Sequence, residues 1–570
     1  MGFVYKQLTR QIASNKIFTV LLLLLTILTS LSFFFVKFSI DGNMEVLHSI
    51  SSLSENQVLY RAALHSNSML ANLFLASLTG LTAFVFIMFF YRFFRANKKQ
   101  IGCLKSLGFK DFFLRMYFVV FTAVLSTIGS LLGLTGGYFL SNILIEANKK
   151  TYTVTGLIRG VNMNSLFIGL MAATAVFCLV TFFSYSFVSG SEPAVLLAGN
   201  QNSKKFSGAL QAANRIVAMI PVKNRFPLRI ALRKPVAVFM ILAAAMAFNV
   251  CMILGYSLNI SSKEVFASQT IGHNYEYDAH FSGYRTEAVS TEAMRYLDSS
   301  ATLSVSGQDV KQTVVGIYNL NAVYELQDKK GRHLTVPGDG CIYINPGLRE
   351  IYDITIGDTL IVDISGTKHN FLVMGIAENA NAASVYVNAD ELTEIMGIPS
   401  GSYNGIVSMA EPADYDKLIT KSQRIERLDR NAVSNKTSAV INQVIGVITG
   451  AILILLALLI NFQDNIRDIL ILNMMGYRIN AIKKLLIDVY MPIVWFSFIL
   501  TVLPGIAAAN AIQKSLSIAT SDYMPFGTNI TVLILIFVLL NMIYWLVESV
   551  SLLGIRHVVA KEEISEYISI

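Results

Sequence analysis

Lys99-Gln100-Ile101-Gly102-Cys103-Leu104-Lys105-Ser106-Leu107-Gly108-Phe109-Lys110 lies between two apolar runs, at about 69–91 and 113–145. Each run is long enough to cross a hydrocarbon core of about 30 Å, which takes roughly 20 residues. This basic stretch is therefore read as the loop between two membrane crossings. A shift of 368 residues sets Arg467-Asp468-Ile469-Leu470-Ile471-Leu472-Asn473-Met474-Met475-Gly476-Tyr477-Arg478 beside it, again just after an apolar run. Ile101, Leu104 and Leu107 stand at i, i+3 and i+6, one face of a short helix. Gly108 and Gly476 fit a helix C-terminus, where a positive φ is often needed. One short element occurs twice, and the chain is read as two related halves.

Six further runs extend the pattern. Together they fall at about 17–38, 69–91, 113–145, 165–189, 235–257, 437–460, 485–512 and 529–551. Charges are nearly absent from them, as spanning requires, since one at a helix centre costs on the order of 2.5–3.5 kcal/mol. The composition agrees: 54% of the 570 residues are hydrophobic and 14% charged, against about 45–50% and 25% in soluble domains. The first run has a basic start (Lys6, Arg10, Lys16) but no small-x-small cleavage site follows, so it is read as a retained helix.

Basic residues mark the cytoplasmic side. The 92–112 loop carries Arg92, Arg95, Lys98, Lys99, Lys105 and Lys110 against Asp111, and the 190–234 segment carries eight Lys and Arg against Glu192. Two helices separate them, so both lie inside together. Lys149, Lys150 and Arg159, in the 146–164 loop, are a mild exception. With eight helices, both termini are cytoplasmic and residues 258–436 extracytoplasmic. That segment holds 23 Asp and Glu against 15 Lys and Arg. The net charge of +8 thus serves topology, and nucleic-acid binding is dismissed.

The external segment reads as a folded α+β domain. Cys341–Ile344 and Thr359–Ile364 alternate like strands, and Pro337-Gly338-Asp339-Gly340 and Ser365-Gly366 read as turns. Helical patches are predicted at 287–298 and 389–396. A further match at a shift of 218 sets Ile12-Ala13-Ser14-Asn15-Lys16 beside Ile230-Ala231-Leu232-Arg233-Lys234. Each half then runs through a helix, an external insertion and three more helices, the parallel duplication common in transporters. The layout is 1–198 for the first repeat with an insertion at about 39–68, and 199–234 for a basic cytoplasmic linker. Helix 5 follows at 235–257, the external domain at 258–436, and helices 6–8 at 437–570.

The twelve-residue loop resembles the FtsX-type permease signature, roughly Arg-x-Glu-Ile-x-x-Leu-[+]-x-Leu-Gly. Lys99-Gln100-Ile101 and Arg467-Asp468-Ile469 occupy its opening, and neither keeps the Glu. Ser191-Glu192-Pro193-Ala194-Val195-Leu196-Leu197 is similar to that family's segment after the fourth helix. Ile356-Gly357-Asp358-Thr359-Leu360 followed by Val373-Met374-Gly375-Ile376 resembles the periplasmic domain of MacB-like and LolC-like permeases. The resemblance implies a polytopic α-helical fold of two four-helix FtsX-like repeats, with one α+β domain between helices 5 and 6. It implies a bacterial plasma-membrane permease subunit of an ABC transporter, coupled to a separate ATPase, an ATPase dimer, that holds ATP and Mg. Lys99, Gln100, Ile101, Leu104, Leu107 and Gly108, with Arg467, Asp468, Ile469, Leu472 and Gly476, are its expected coupling segments. Export of a lipophilic or peptidic substrate follows, with membrane lipid and an external substrate or accessory protein as other partners. Mechanotransmission to a cell-envelope partner and ion-coupled secondary transport remain alternatives.

No phosphate-cradling Gly-x-x-x-x-Gly-Lys-[Ser/Thr] occurs in the sequence. The chain is expected to be no enzyme and to hold no cofactor or metal. His273-Asn274-Tyr275-Glu276-Tyr277-Asp278-Ala279-His280 is either an external metal or haem site or an ordinary first strand, on which residues 273 and 280 face opposite ways. Gly129, Gly133 and Gly137 form a stripe that lets helix backbones approach. Glu548 is expected to snorkel toward headgroups.

Overall fold

The computed structural model describes residues 16–50, 52–190, 192–197, 235–289, 292–305, 307–381, 383–464, 466–486, 488–520 and 523–560. The 199–234 linker and the Ile12–Asn15 and Ile230–Lys234 matches lie outside these. Among the described residues, eight helices are long and apolar enough to cross a membrane. They are α1 (Lys16–His48), α2 (Glu55–Ala96), α4 (Asp111–Tyr152), α5 (Met163–Ser189, with a π turn at Ile168–Ala172), α7 (Pro235–Ser268), α10 (Lys421–Asp464), α13 (Met491–Thr520) and α14 (Ile530–Ala560). Short helices join them: α3 (Lys98–Ser106), α6 (Pro193–Leu197), α11 (Ile466–Met474) and α12 (Ile479–Leu486).

Several helices run well past the apolar runs. A helix rises about 1.5 Å per residue, so the 44 residues of α10 span about 66 Å, twice the hydrocarbon thickness. The expected insertion at 39–68 is mostly such overrun. Helix α1 continues to His48, and α2 starts at Glu55 with Ser54 as its N-cap in a capping box with Gln57. Asp41-Gly42-Asn43 looked like loop but is buried: Asn43 bonds both the backbone N–H and the carbonyl of Ile158, and Gly42 backs onto Gly160. Lys37, also buried, lies 3.8 Å from Asp41 and donates to Ser68.

The glycine stripe packs within the first bundle. A Cβ on Gly129 would come 2.0 Å from Thr26 Oγ1, and one on Gly133 or Gly137 would meet α1 backbone or Cβ atoms at 2.7–2.8 Å. These glycines let α4 lie against α1. The two halves meet through matching pairs, because α4 packs on α10 and α13 packs on α2. In a twofold arrangement of four-helix units, those are the same contact made twice.

Between α7 and α10 sits a sheet of nine strands: β1 (Tyr277–Arg285), β2 (Ala293–Val305), β3 (Gln308–Ile317), β4 (Cys341–Ile344), β5 (Thr359–Ile364), β6 (Thr367–Ile376), β7 (Ser384–Asn388), β8 (Tyr403–Ser408) and β9 (Lys417–Thr420). The order is β3-β7-β4-β6-β5-β2-β8-β1-β9, and β2 also pairs with β3, so six strands close on themselves. Their inner faces bury Leu297, Leu303, Val314, Ile342, Val362, Phe371, Val373 and Val385. Helices α8 (Pro346–Tyr352) and α9 (Ala389–Met396) complete the domain.

The predicted helix at 287–298 is wrong. From Ala293 on, that segment is β2, the strand that pairs with β3, β5 and β8 at once. Tertiary pairing on both edges overrides the helix-forming Glu-Ala-Met-Arg run. The predicted strands at 341–344 and 359–364 and the helix at 389–396 are present, and the turn between β5 and β6 has positive φ at Ser365 and Gly366.

Strands β1 and β9 are hydrogen-bonded neighbours, so α7 and α10 reach the sheet side by side. Lys421 ties the two by its backbone N–H to Glu276 O (2.8 Å) and its ammonium to the Glu276 carboxylate (3.0 Å). Arg424 donates to His273 O and lies 3.9 Å over the Tyr275 ring.

Candidate coupling site

Helices α3 and α11 close in the same way, atom for atom at the 368-residue shift. Leu107 N donates to Cys103 O, Gly108 N to Lys105 O and Phe109 N to Leu104 O. Met475 N, Gly476 N and Tyr477 N donate to Ile471 O, Asn473 O and Leu472 O. Gly108 has φ +89° and Gly476 φ +84°, in the left-handed region that glycine occupies without penalty. The chain turns sharply there and leads into α4 in the first half and into α12 in the second.

One face of each short helix is held by the bundle. Ile101 and Leu104 are buried, and a Cβ on Gly102 would come 2.9 Å from Leu196 Cβ, so α6 lies directly on α3. In the second half Ile469 is buried and Leu472 half-buried. Lys99 and Gln100 are on the exposed side. The side chains of Arg467 and Asp468 lie outside the described residues.

Leu107 does not continue the Ile101–Leu104 face. It is 69% exposed in the capping turn, where the helix has already ended. With Phe112 and Phe113, also exposed, it makes an apolar tip on the first half. Met474, Met475 (67% exposed) and Tyr477 make the matching tip on the second. The i+3 spacing that pointed inward concealed these outward residues, and the signal for Phe112 and Phe113 was an aromatic pair opening the next helix, four and five residues after the capping glycine.

Ion pairs bind each tip to its bundle. Lys105 lies 2.5 Å from Asp111 and donates to Ser189 O at the end of α5. Asp111 also pairs with Arg115 at 2.8 Å and accepts from the Tyr185 hydroxyl at 3.2 Å. Arg115 lies 4.6 Å from the Phe182 ring centroid. In the second half Lys483 lies 2.5 Å from Glu548. Glu548 is buried rather than snorkelling, because a lysine on α12 reaches it from the neighbouring element.

His273 and His280 of the external cluster have separate partners. Residues 273–276 precede β1, so the expected strand starts only at Tyr277. His273 is buried with Nε2 2.8 Å from Asn379 O, and burial pushes its pKa down to about 4. His280 instead sits by Asp278, whose carboxylate accepts from Tyr296 and holds the imidazole pKa up. Among the described residues no group of three or more His, Cys, Asp or Glu could hold a metal.

The family described as FtsX-like permease C-terminal matches the chain twice, over residues 72–193 and 443–557. Each match takes in the last three membrane helices of one half, with α3 or α11 inside it. No curated protein matches. The periplasmic region of MacB from Actinobacillus actinomycetemcomitans is a structural neighbour at 15% identity and a TM-score of 0.19, over 25% of this chain and 78% of that chain.

Proposed function

We propose, from the premise that this chain is an FtsX-like permease of two fused units, that it is the membrane subunit of an ABC transporter driven by a separately encoded ATPase. The observation that carries this reading is α10. It is one helix, Lys421–Asp464, from the edge of the sheet domain to within two residues of the start of α11 at Ile466. A push on α11 therefore has a stiff path to the sheet, where Lys421 and Arg424 join the helix to β1 and its approach.

The loops carrying α3 and α11 face the cytoplasm on the basic-residue rule, with both termini there and the sheet domain outside the bacterial plasma membrane. Their apolar tips are the docking points for two ATPase subunits, which bring ATP and Mg. One chain suffices for the membrane part, since the α4–α10 and α13–α2 contacts already join two units. The substrate is lipophilic or peptidic and is moved outward at the outer leaflet. A second reading, transmission of force to an envelope partner without transport, is favoured by the same direct helix-to-sheet connection.

The test is a full chain carrying Lys99→Glu and Arg467→Glu, purified in mild detergent. The account expects normal membrane insertion with loss of the co-purifying ATPase, or of its coupling. Unchanged co-purification and unchanged ATP-dependent activity would count against the coupling assignment.

A further inference from the structure

Helices α7 and α10 pack against each other along their length, and a half-open cleft of about 190 Å³ lies on their surface just beyond the apolar runs. Ser262, Lys263, Phe266, Asp429, Ala432 and Lys436 line it. Its depth is fixed by the sequence. Within α7 no charge precedes Lys263, and within α10 none follows Lys436 until Asp464. Both lysines are thus the first charges beyond an apolar run, at the level where a bilayer changes from acyl chain to headgroup.

Three observations select a ligand class. Lys263 and Lys436 are both exposed and both line the one cleft, so two ammonium groups face the same space. Two ammoniums against the single carboxylate of Asp429 leave one positive charge, which matches the single negative charge of a phosphodiester. Directly membrane-ward of Lys436, Val440, Val444 and Val447 form an exposed apolar stripe on the same side of α10. A head held at the lysines would lay its acyl chain along that stripe, with Phe266 on the sheet-domain side of the head.

We propose that this cleft binds the phosphodiester headgroup of an amphiphile at the outer membrane surface, with its acyl chain on the α10 valine stripe. Binding requires the chain alone, so the inference stands apart from ATPase coupling. A free phosphodiester shares the head chemistry and lacks the tail.

The test uses the purified full chain in detergent, with binding read by native mass spectrometry. The probes are dioctanoyl phosphatidylglycerol, dioctanoylglycerol without phosphate, and tail-free glycerophosphoglycerol. Phosphatidylglycerol should bind more tightly than either control. Lys263→Ala with Lys436→Ala should weaken it about thirtyfold, on a typical surface-lysine contribution for each, and Lys→Arg at both positions should keep it. Asp429→Asn should tighten binding a few-fold, a gain that a folding defect does not produce. Equal binding of dioctanoylglycerol, or a lysine double variant within twofold of the parent, would overturn the proposal. Equal binding of glycerophosphoglycerol would overturn the amphiphile assignment in favour of a free phosphodiester.

Discussion

Lys483 Nζ lies 2.5 Å from Glu548 Oε1, and the residue matching Lys483 in the first unit, 368 positions earlier, is Arg115, which packs on Phe182. In each unit a cation just after the short loop helix reaches the unit's fourth membrane helix. The loop is thereby tied to the last helix as well as to the helix before it. A displacement of either tip is shared across its bundle.

Breaking that tie should cost more than a surface ion pair. Lys483→Met leaves the buried Glu548 carboxylate unpaired, and loss of one partner of such a pair costs about 3 kcal/mol. Adding Glu548→Leu should recover most of it. Thermal unfolding of the purified single and double variants checks both, and an equal loss in the two would remove the pairing from the account.

The two capping glycines should tolerate substitution in a fixed order. At φ near +85° a β-branched residue is strained and Asn is not. Gly476→Asn should stay near the parent, Gly476→Ala should lose about 1 kcal/mol and Gly476→Val more. The same order should hold at Gly108. Thermal unfolding of each purified variant checks that order, and co-purification of the proposed ATPase partner should follow it.

Helix packing gives a contrast between two glycines of the first bundle. Gly133→Val puts side-chain atoms where α1 backbone already lies at 2.7 Å, an overpacking of about 1–3 kcal/mol. Gly80→Ala meets nothing within 4 Å. The first should lower the melting temperature of the detergent-solubilised chain and the second should leave it unchanged.

His273 should make the external domain acid-sensitive. Its pKa falls from 6.5 unfolded to about 4 folded because burial disfavours the imidazolium. The unfolded state therefore binds more protons between those values, and stability is lost as pH falls from about 6.5 to 4, by at most about 3 kcal/mol. His280 works in the opposite sense, since Asp278 raises its pKa, and its contribution fades as pH rises. His273→Gln should flatten the acid limb of a melting-temperature profile. An unchanged limb would assign it to other groups.

The loop and its glycine were legible in sequence because a Leu-Gly-aromatic end after an i, i+3 pattern has few other solutions. The eight crossings were legible because lipid forbids charge in them. The helical overruns were not, since a polar helix buried against its own bundle, as at Asp41 to Asn43, has the composition of a loop. Strand β2 was hidden by helix-forming residues that its three partner strands override. The Lys483–Glu548 tie was out of reach, because nothing local in a chain announces a partner 65 residues away.

The exposed tips decide the account most directly. A photo-reactive residue placed at Leu107, and separately at Met475, should cross-link in intact cells to a protein carrying a nucleotide-binding sequence. Both adducts should contain the same ATPase and weaken or shift on ATP addition to isolated membranes. Adducts confined to lipid at both positions, or labelling of these tips by a membrane-impermeant reagent from outside the cell, would contradict it.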